Sequence, residues 1–115
     1  MTLLEAMARQ EGFFAVGSRP KKNNNPGDIE YGKFARAHGA IGTDGRFAKF
    51  PTARDGYKAM AALLASAYHG MTVEAALNKY APPIENQTNV YLAHVCEWTG
   101  LKPTDIISDH LELPV

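Results

Sequence analysis

Residues 10–14 read Gln10-Glu11-Gly12-Phe13-Phe14, a carboxylate followed by glycine and two aromatics at the end of an apolar-periodic segment. Leu3, Leu4 and Met7 recur at helical spacing, Thr2 is placed to cap the first turn, and Gly12 is a natural stop. A first helix therefore carries Glu11 on its last turn. The partial negative charge of a helix C-terminus disfavours an ionised carboxylate by roughly 0.3–1 kcal/mol when exposed, and Phe13 and Phe14 add desolvation. Both effects raise the proton affinity of Glu11. A carboxyl group that keeps its proton near neutral pH is equipped for general acid catalysis. The competing account is a solvated glutamate on a frayed helix end.

Working outward, residues 15–25 are rich in Gly, Ser, Arg, Pro, Lys and Asn and read as a surface loop. Asn23-Asn24-Asn25-Pro26-Gly27 is a turn, with glycine available for positive φ. Asp28-Ile29-Glu30-Tyr31 and Arg46-Phe47-Ala48-Lys49-Phe50 alternate as half-buried strands do, and Asp44-Gly45 between them is a hairpin step. The expectation is a glycine-rich antiparallel sheet of two or three strands that leans on helices. Tyr57, Met60, Ala61, Leu64, Ala67 and Tyr68 predict a central helix, capped by Thr52 or Asp55 and ended by Gly70. Thr72 begins another through Val73, Ala76, Leu77 and Tyr80, stopped at Ala81-Pro82-Pro83. A further helix carries Tyr91, Leu92, Val95, Cys96 and Trp98 to Gly100, with Asn86 or Thr88 as N-cap, and Pro103-Thr104 suits the start of a last short one. The fold class is α+β, mostly α, in one domain over residues 1–115 that buries about two-thirds of its unfolded surface.

Composition narrows the partners. Twelve Lys and Arg balance twelve Asp and Glu, with no long basic run, so no nucleic-acid footprint is evident. Arg19, Lys21 and Lys22 make one small cluster at a loop entrance. The single cysteine, Cys96, excludes an internal disulfide and reads as a small core residue. His38, His69, His94 and His110 lack ligand spacing, so neither a metal nor a cofactor is expected. No stretch reaches the ~20 apolar residues of a membrane span, and no signal segment is evident. A chain synthesised in the cytoplasm is the expectation, acting elsewhere only after release or carriage.

Glu11-Gly12, Asn24-Asn25-Pro26-Gly27-Asp28-Ile29, Asp44-Gly45-Arg46-Phe47-Ala48-Lys49-Phe50, Gly56-Tyr57 and the run Tyr80-Ala81-Pro82-Pro83-Ile84-Glu85-Asn86-Gln87-Thr88 together cover much of the chain. In their order and spacing the chain resembles the lysozyme-like superfamily. More narrowly it is similar to small phage and prophage peptidoglycan-degrading proteins, muramidases or lytic transglycosylases, although many relatives carry Asn where Asp28 stands. The resemblance implies a helical domain with the small sheet beside a cleft. It also implies bacterial peptidoglycan as substrate, phage virion components as further partners, and Glu11 as the acid that protonates the β-1,4 bridging oxygen between N-acetylmuramic acid and N-acetylglucosamine. A second carboxylate would come from Asp28, Glu30, Asp44 or Asp55; Asp44 is already explained by its turn and Asp55 by capping. With one convincing acid, transglycosylation is favoured slightly over hydrolysis.

Asn25, Tyr31, Phe47, Tyr57, Tyr80, Glu85, Asn86 and Thr88 are the expected sugar contacts. Each has a structural alternative: core packing for Tyr57 and Tyr80, sheet packing for Phe47, capping for Asn86 and Thr88, and an exposed loop position for Glu85. The rival function is a non-catalytic peptidoglycan-binding or virion structural protein on the same fold.

Overall fold

The computed structural model describes residues 1–82 and 87–114. Helix α1 spans Leu3–Gln10. Thr2 opens it with a reciprocal capping box, its hydroxyl accepting from Glu5 N at 3.1 Å while Glu5 Oε1 accepts from Thr2 N at 3.0 Å. At the other end Phe13 N donates to Ala8 O and Gly12 N to Arg9 O, with Gly12 at φ 88°. This is a Schellman stop, and it leaves Glu11 as the C-cap.

The segment read as irregular loop contains a one-turn helix, α2 (Arg19–Lys22), because Ser18 caps it and Pro20 sits in its first turn, where a missing N–H costs nothing. A second unforeseen helix is α3 (Lys33–Ala37). The sheet has two antiparallel strands, as expected, but the first lies at 42–43 and not at 28–31: β1 (Gly42–Thr43) pairs with β2 (Ala48–Lys49), Gly42 opposite Lys49, around the Asp44-Gly45 turn. Residues 28–31 add only one bridge, Glu30 to Phe47. Asp28 lies at φ 50°, outside extended geometry, and so interrupts the alternation.

Helix α4 (Ala53–Ala67) buries Tyr57, Met60 and Leu64, while Ala67 is exposed. Thr52 is its cap and Asp55 supports it by accepting from the Thr52 hydroxyl at 2.7 Å. The asparagine-rich turn packs directly on this helix. A Cβ at Gly56 would collide with Asn24 O, and one at Gly27 would stand 2.7 Å from the Tyr80 hydroxyl and 3.1 Å from Met60 Cγ. Gly27 is thus needed for space; the positive φ values of the turn fall on Asn24 and Asp28 instead.

Helix α5 (Val73–Tyr80) is capped by Thr72, and α6 (Thr88–Thr99) ends at Gly100, φ 78°. Thr88 is the first helical residue and not the cap, since Gln87 takes that position without a side-chain bond. The last short helix is a 3₁₀ turn at Ile107–Asp109, later than Pro103. It is held by Ile107 N to Met71 O at 2.9 Å. Helix α1 packs mainly against α6, α5 also against α6, and α4 against α1 and the 3₁₀ turn. Leu3, Leu4, Met7, Met60, Leu64, Leu77, Val95 and Ile107 fill the centre of one core. Cys96 is half-buried at its margin, not central. Trp98 covers the core edge between His94 stacked at 5.0 Å and Arg9 at 4.2 Å. Among the described residues no helix is long and apolar enough to cross a membrane.

Candidate active site

The C-terminal end of α1 forms one wall of a cleft of about 610 Å³. Glu11 lines it together with Arg19, the segment 27–30, Arg46 and Phe47 from the sheet side, and Leu63, Tyr68, Tyr80 and Ala81 from α4 and α5. The Schellman stop fixes the Glu11 backbone, and Tyr91 of α6 fixes its side chain by donating its hydroxyl to Glu11 Oε2 at 3.0 Å. Burial pushes the Glu11 carboxyl up to about 7, and the nearby Asp28 carboxylate acts in the same direction; the Tyr91 hydrogen bond and the Arg19 guanidinium oppose them. Desolvation prevails because water, the strongest stabiliser of a carboxylate, is largely excluded. Glu11 therefore keeps its proton to higher pH than an ordinary glutamate. Changing Tyr91 to phenylalanine removes a donor to the ionised form, so the Glu11 midpoint should rise above about 7; an unchanged or lower midpoint in a ¹³C-carboxyl titration would contradict this placement of the tyrosine.

Tyr80 also lines the cleft. Its hydroxyl donates to Gly27 O, and its ring lies 5.8 Å from Tyr68. Phe47 borders the cleft between two cations, with the Arg19 guanidinium 3.9 Å and that of Arg46 4.8 Å from the ring centroid. Of the expected sugar contacts, Phe47 and Tyr80 line the same cleft as Glu11, Phe47 itself being buried beneath the two guanidinium groups.

Others are placed elsewhere. Asn25 is fully buried: Nδ2 donates to Ile29 O at 2.9 Å and Ala48 O at 3.0 Å, and Oδ1 accepts from Ile29 N at 2.9 Å. Its amide is consumed in joining the turn to β2, so it is not a groove residue. Tyr57 is buried edge-on to Phe13, with ring centroids 5.8 Å apart, and belongs to the core. Thr88 is buried and its hydroxyl donates to Ala81 O. Tyr31, partly exposed, lies outside the cleft lining near Arg36, 5.5 Å from its ring. Glu85 and Asn86 lie outside the described residues.

The four carboxylates weighed as partners for Glu11 separate cleanly. Asp44 closes its turn, accepting from Asn23 Nδ2 at 2.9 Å and from Arg46 N and Phe47 N at 3.0 and 2.8 Å; the Asn23 bond first, then the backbone donors, lower its carboxyl to about 2. Asp55 supports the α4 cap. Asp28 and Glu30 line the cleft, each ion-paired: Asp28 Oδ2 with Arg19 at 3.0 Å, Glu30 Oε1 with Arg46 Nε at 2.9 Å. Sequence reasoning missed Arg19, Tyr68 and Tyr91 as parts of this site. The basic cluster was a faint signal for Arg19, but nothing local distinguishes Tyr91 from an ordinary core tyrosine.

Among the described residues no group of three or more His, Cys, Asp and Glu is arranged to hold a metal ion. No family model matches the chain, and no curated protein matches it.

Proposed function

We propose that the protein cleaves peptidoglycan glycan strands at the β-1,4 bond between N-acetylmuramic acid and N-acetylglucosamine, with Glu11 as the acid. The observation that carries this reading is a half-buried carboxyl group, its proton affinity raised by desolvation, in the wall of a polar cleft that aromatic rings also line. Aromatic faces suit the C–H surfaces of sugars, and ionic side chains suit their hydroxyl and acetamido groups. The Glu11 proton passes to the bridging oxygen, the bond from that oxygen to the anomeric carbon breaks, and positive charge develops on the sugar ring.

The second step favours transglycosylation. A hydrolase needs another carboxylate as base or nucleophile, but Glu30 and Asp28 are both engaged by arginines, and Asp28 Oδ1 is shielded from solvent. Asp28 is thereby withdrawn from water, while Glu30, its side chain 63% exposed, is tied to Arg46. Ionised Glu11 instead accepts the proton of the muramic acid 6-hydroxyl as that oxygen attacks the anomeric carbon, closing an anhydro ring. One carboxyl group then serves as acid and base.

Mass spectrometry of soluble products from bacterial sacculi is the test. Anhydro-muramic ends are expected. Reducing ends would instead assign hydrolysis and bring Asp28 and Glu30 back as partners. No products from several sacculus types would favour the non-catalytic binding or virion structural role.

A further inference from the structure

We propose that the turn between Glu11 and Arg19 docks the protein on an anionic lipid bilayer surface, its apolar tip entering the interface and the lysines of α2 meeting the headgroups. Gly12 and Gly17, at φ 88° and 76°, bracket the tip; Ala15 N donates to Gly12 O at 3.0 Å and Ser18 N to Ala15 O at 3.1 Å. A Cβ added at either glycine would meet no atom within 4 Å, so the tip stands clear of the body of the protein at both ends. Phe13 turns into the core, but Phe14 is 46% exposed and Val16 97%. A valine held wholly in water gains nothing from burial in the fold.

The charges beside the tip are of one sign. No Asp or Glu occurs between Gly12 and Gly27, whereas Arg19, Lys21 and Lys22 do. Arg19 is paired with Asp28. Lys21 and Lys22 are exposed, and neither meets a carboxylate among the described residues. Ser18 sets their position by capping α2, its Oγ accepting from Lys21 N at 3.3 Å. A chain of contacts joins cation to tip: Lys21 Nζ lies 5.4 Å from the Phe13 ring centroid, and that ring meets Phe14 edge-on at 5.4 Å.

The combination selects the partner. A soluble polyanion would use the lysines and leave Phe14 and Val16 in water. A protein partner forming a stable interface would need a far wider apolar face than two side chains. An anionic bilayer uses both features: its interface takes up apolar side chains at the level of the headgroups, and its surface potential attracts each nearby lysine. Two apolar residues and two lysines give weak, reversible, salt-sensitive attachment. Glu11 and Arg19, at the two ends of the turn, both line the cleft, so attachment holds the cleft close to the lipid surface. The docking needs no membrane-crossing helix and does not depend on the proposed reaction.

The test is co-sedimentation of the whole protein with vesicles, either of phosphatidylcholine alone or of an equal mixture of phosphatidylcholine and phosphatidylglycerol; it needs no glycan. Binding to the mixed vesicles and not to the neutral ones is expected, with release as salt is raised. Val16→Ser leaves the charge unchanged and should weaken binding to the mixed vesicles by about threefold or more. Lys21→Gln together with Lys22→Gln should weaken it by about tenfold or more. Both variants alter side chains already in water, so the fold is kept. Failure to bind the mixed vesicles, or equal binding to neutral ones, would overturn the proposal. So would a loss confined to the lysine variant, which would assign the patch to a soluble polyanion and leave Phe14 and Val16 without a role.

Discussion

Replacing Glu11 by glutamine is expected to lower turnover of peptidoglycan by about 10²–10⁴-fold while leaving the fold intact. The amide has the same shape and can still accept from the Tyr91 hydroxyl, which reaches Glu11 Oε2 at 3.0 Å. It has no acidic proton to deliver. The unmodified protein should lose activity as pH rises through about 7, where the Glu11 acid form is depleted. Stability should fall in the same direction. The folded value lies above the ordinary 4.5, so the contribution of Glu11 is fully present below about 4.5 and is lost as pH rises through about 7. That difference is at most about 3 kcal/mol. Glu11→Gln should therefore match the unmodified protein near pH 4 and exceed it at pH 8, as measured by urea unfolding. Retained turnover would remove Glu11 from the chemistry, and an equal stability difference at both pH values would remove it from the desolvated state.

Asn25→Ala is expected to destabilise the protein by about 3–5 kcal/mol. Three hydrogen bonds pass through this one buried amide, two to the carbonyls of Ile29 and Ala48 and one from Ile29 N. Truncation strands all three backbone groups away from water. The effect should extend to catalysis only through the fold, because the same bonds hold the 25–29 turn that carries Asp28 to the cleft. Thermal unfolding checks it: the midpoint should fall by about 10 °C or more. A change below about 1 kcal/mol, together with weakened glycan binding, would return Asn25 to the groove.

The local signals in the chain were legible to different degrees for physical reasons. Thr2, Thr52 and Thr72 cap their helices as read, because a cap is settled within three residues by a hydroxyl and a backbone N–H. Gly12 and Gly100 end theirs by the same local logic. The helix α2 escaped notice because Pro and a basic run look like loop composition, although Ser18 and a proline in the first turn are also a helix start. The strand reading of residues 28–31 failed at a single residue, since alternation of side chains cannot report that Asp28 sits at positive φ.

The site shows the same division. That Glu11 closes a helix and that Phe13 adjoins it follow from residues next to each other in the chain, whereas the upward shift of its carboxyl comes from burial in the folded chain. That Phe13 and not Phe14 is buried, and that Tyr91 and Asp28 converge on the carboxyl group, depend on contacts across as many as 80 residues. The amide of Asn25 illustrates the reason. Its chemistry suits a sugar or a backbone equally, and only the packing of the turn against β2 and α4 decides that its bonds close inward. Sequence by itself determined the caps of the first helices, the turn and the placing of a glutamate at the end of α1, because those choices are settled by neighbours. Tertiary structure alone decided which polar groups face the cleft, because burial and charge pairing are properties of elements brought together from distant parts of the chain.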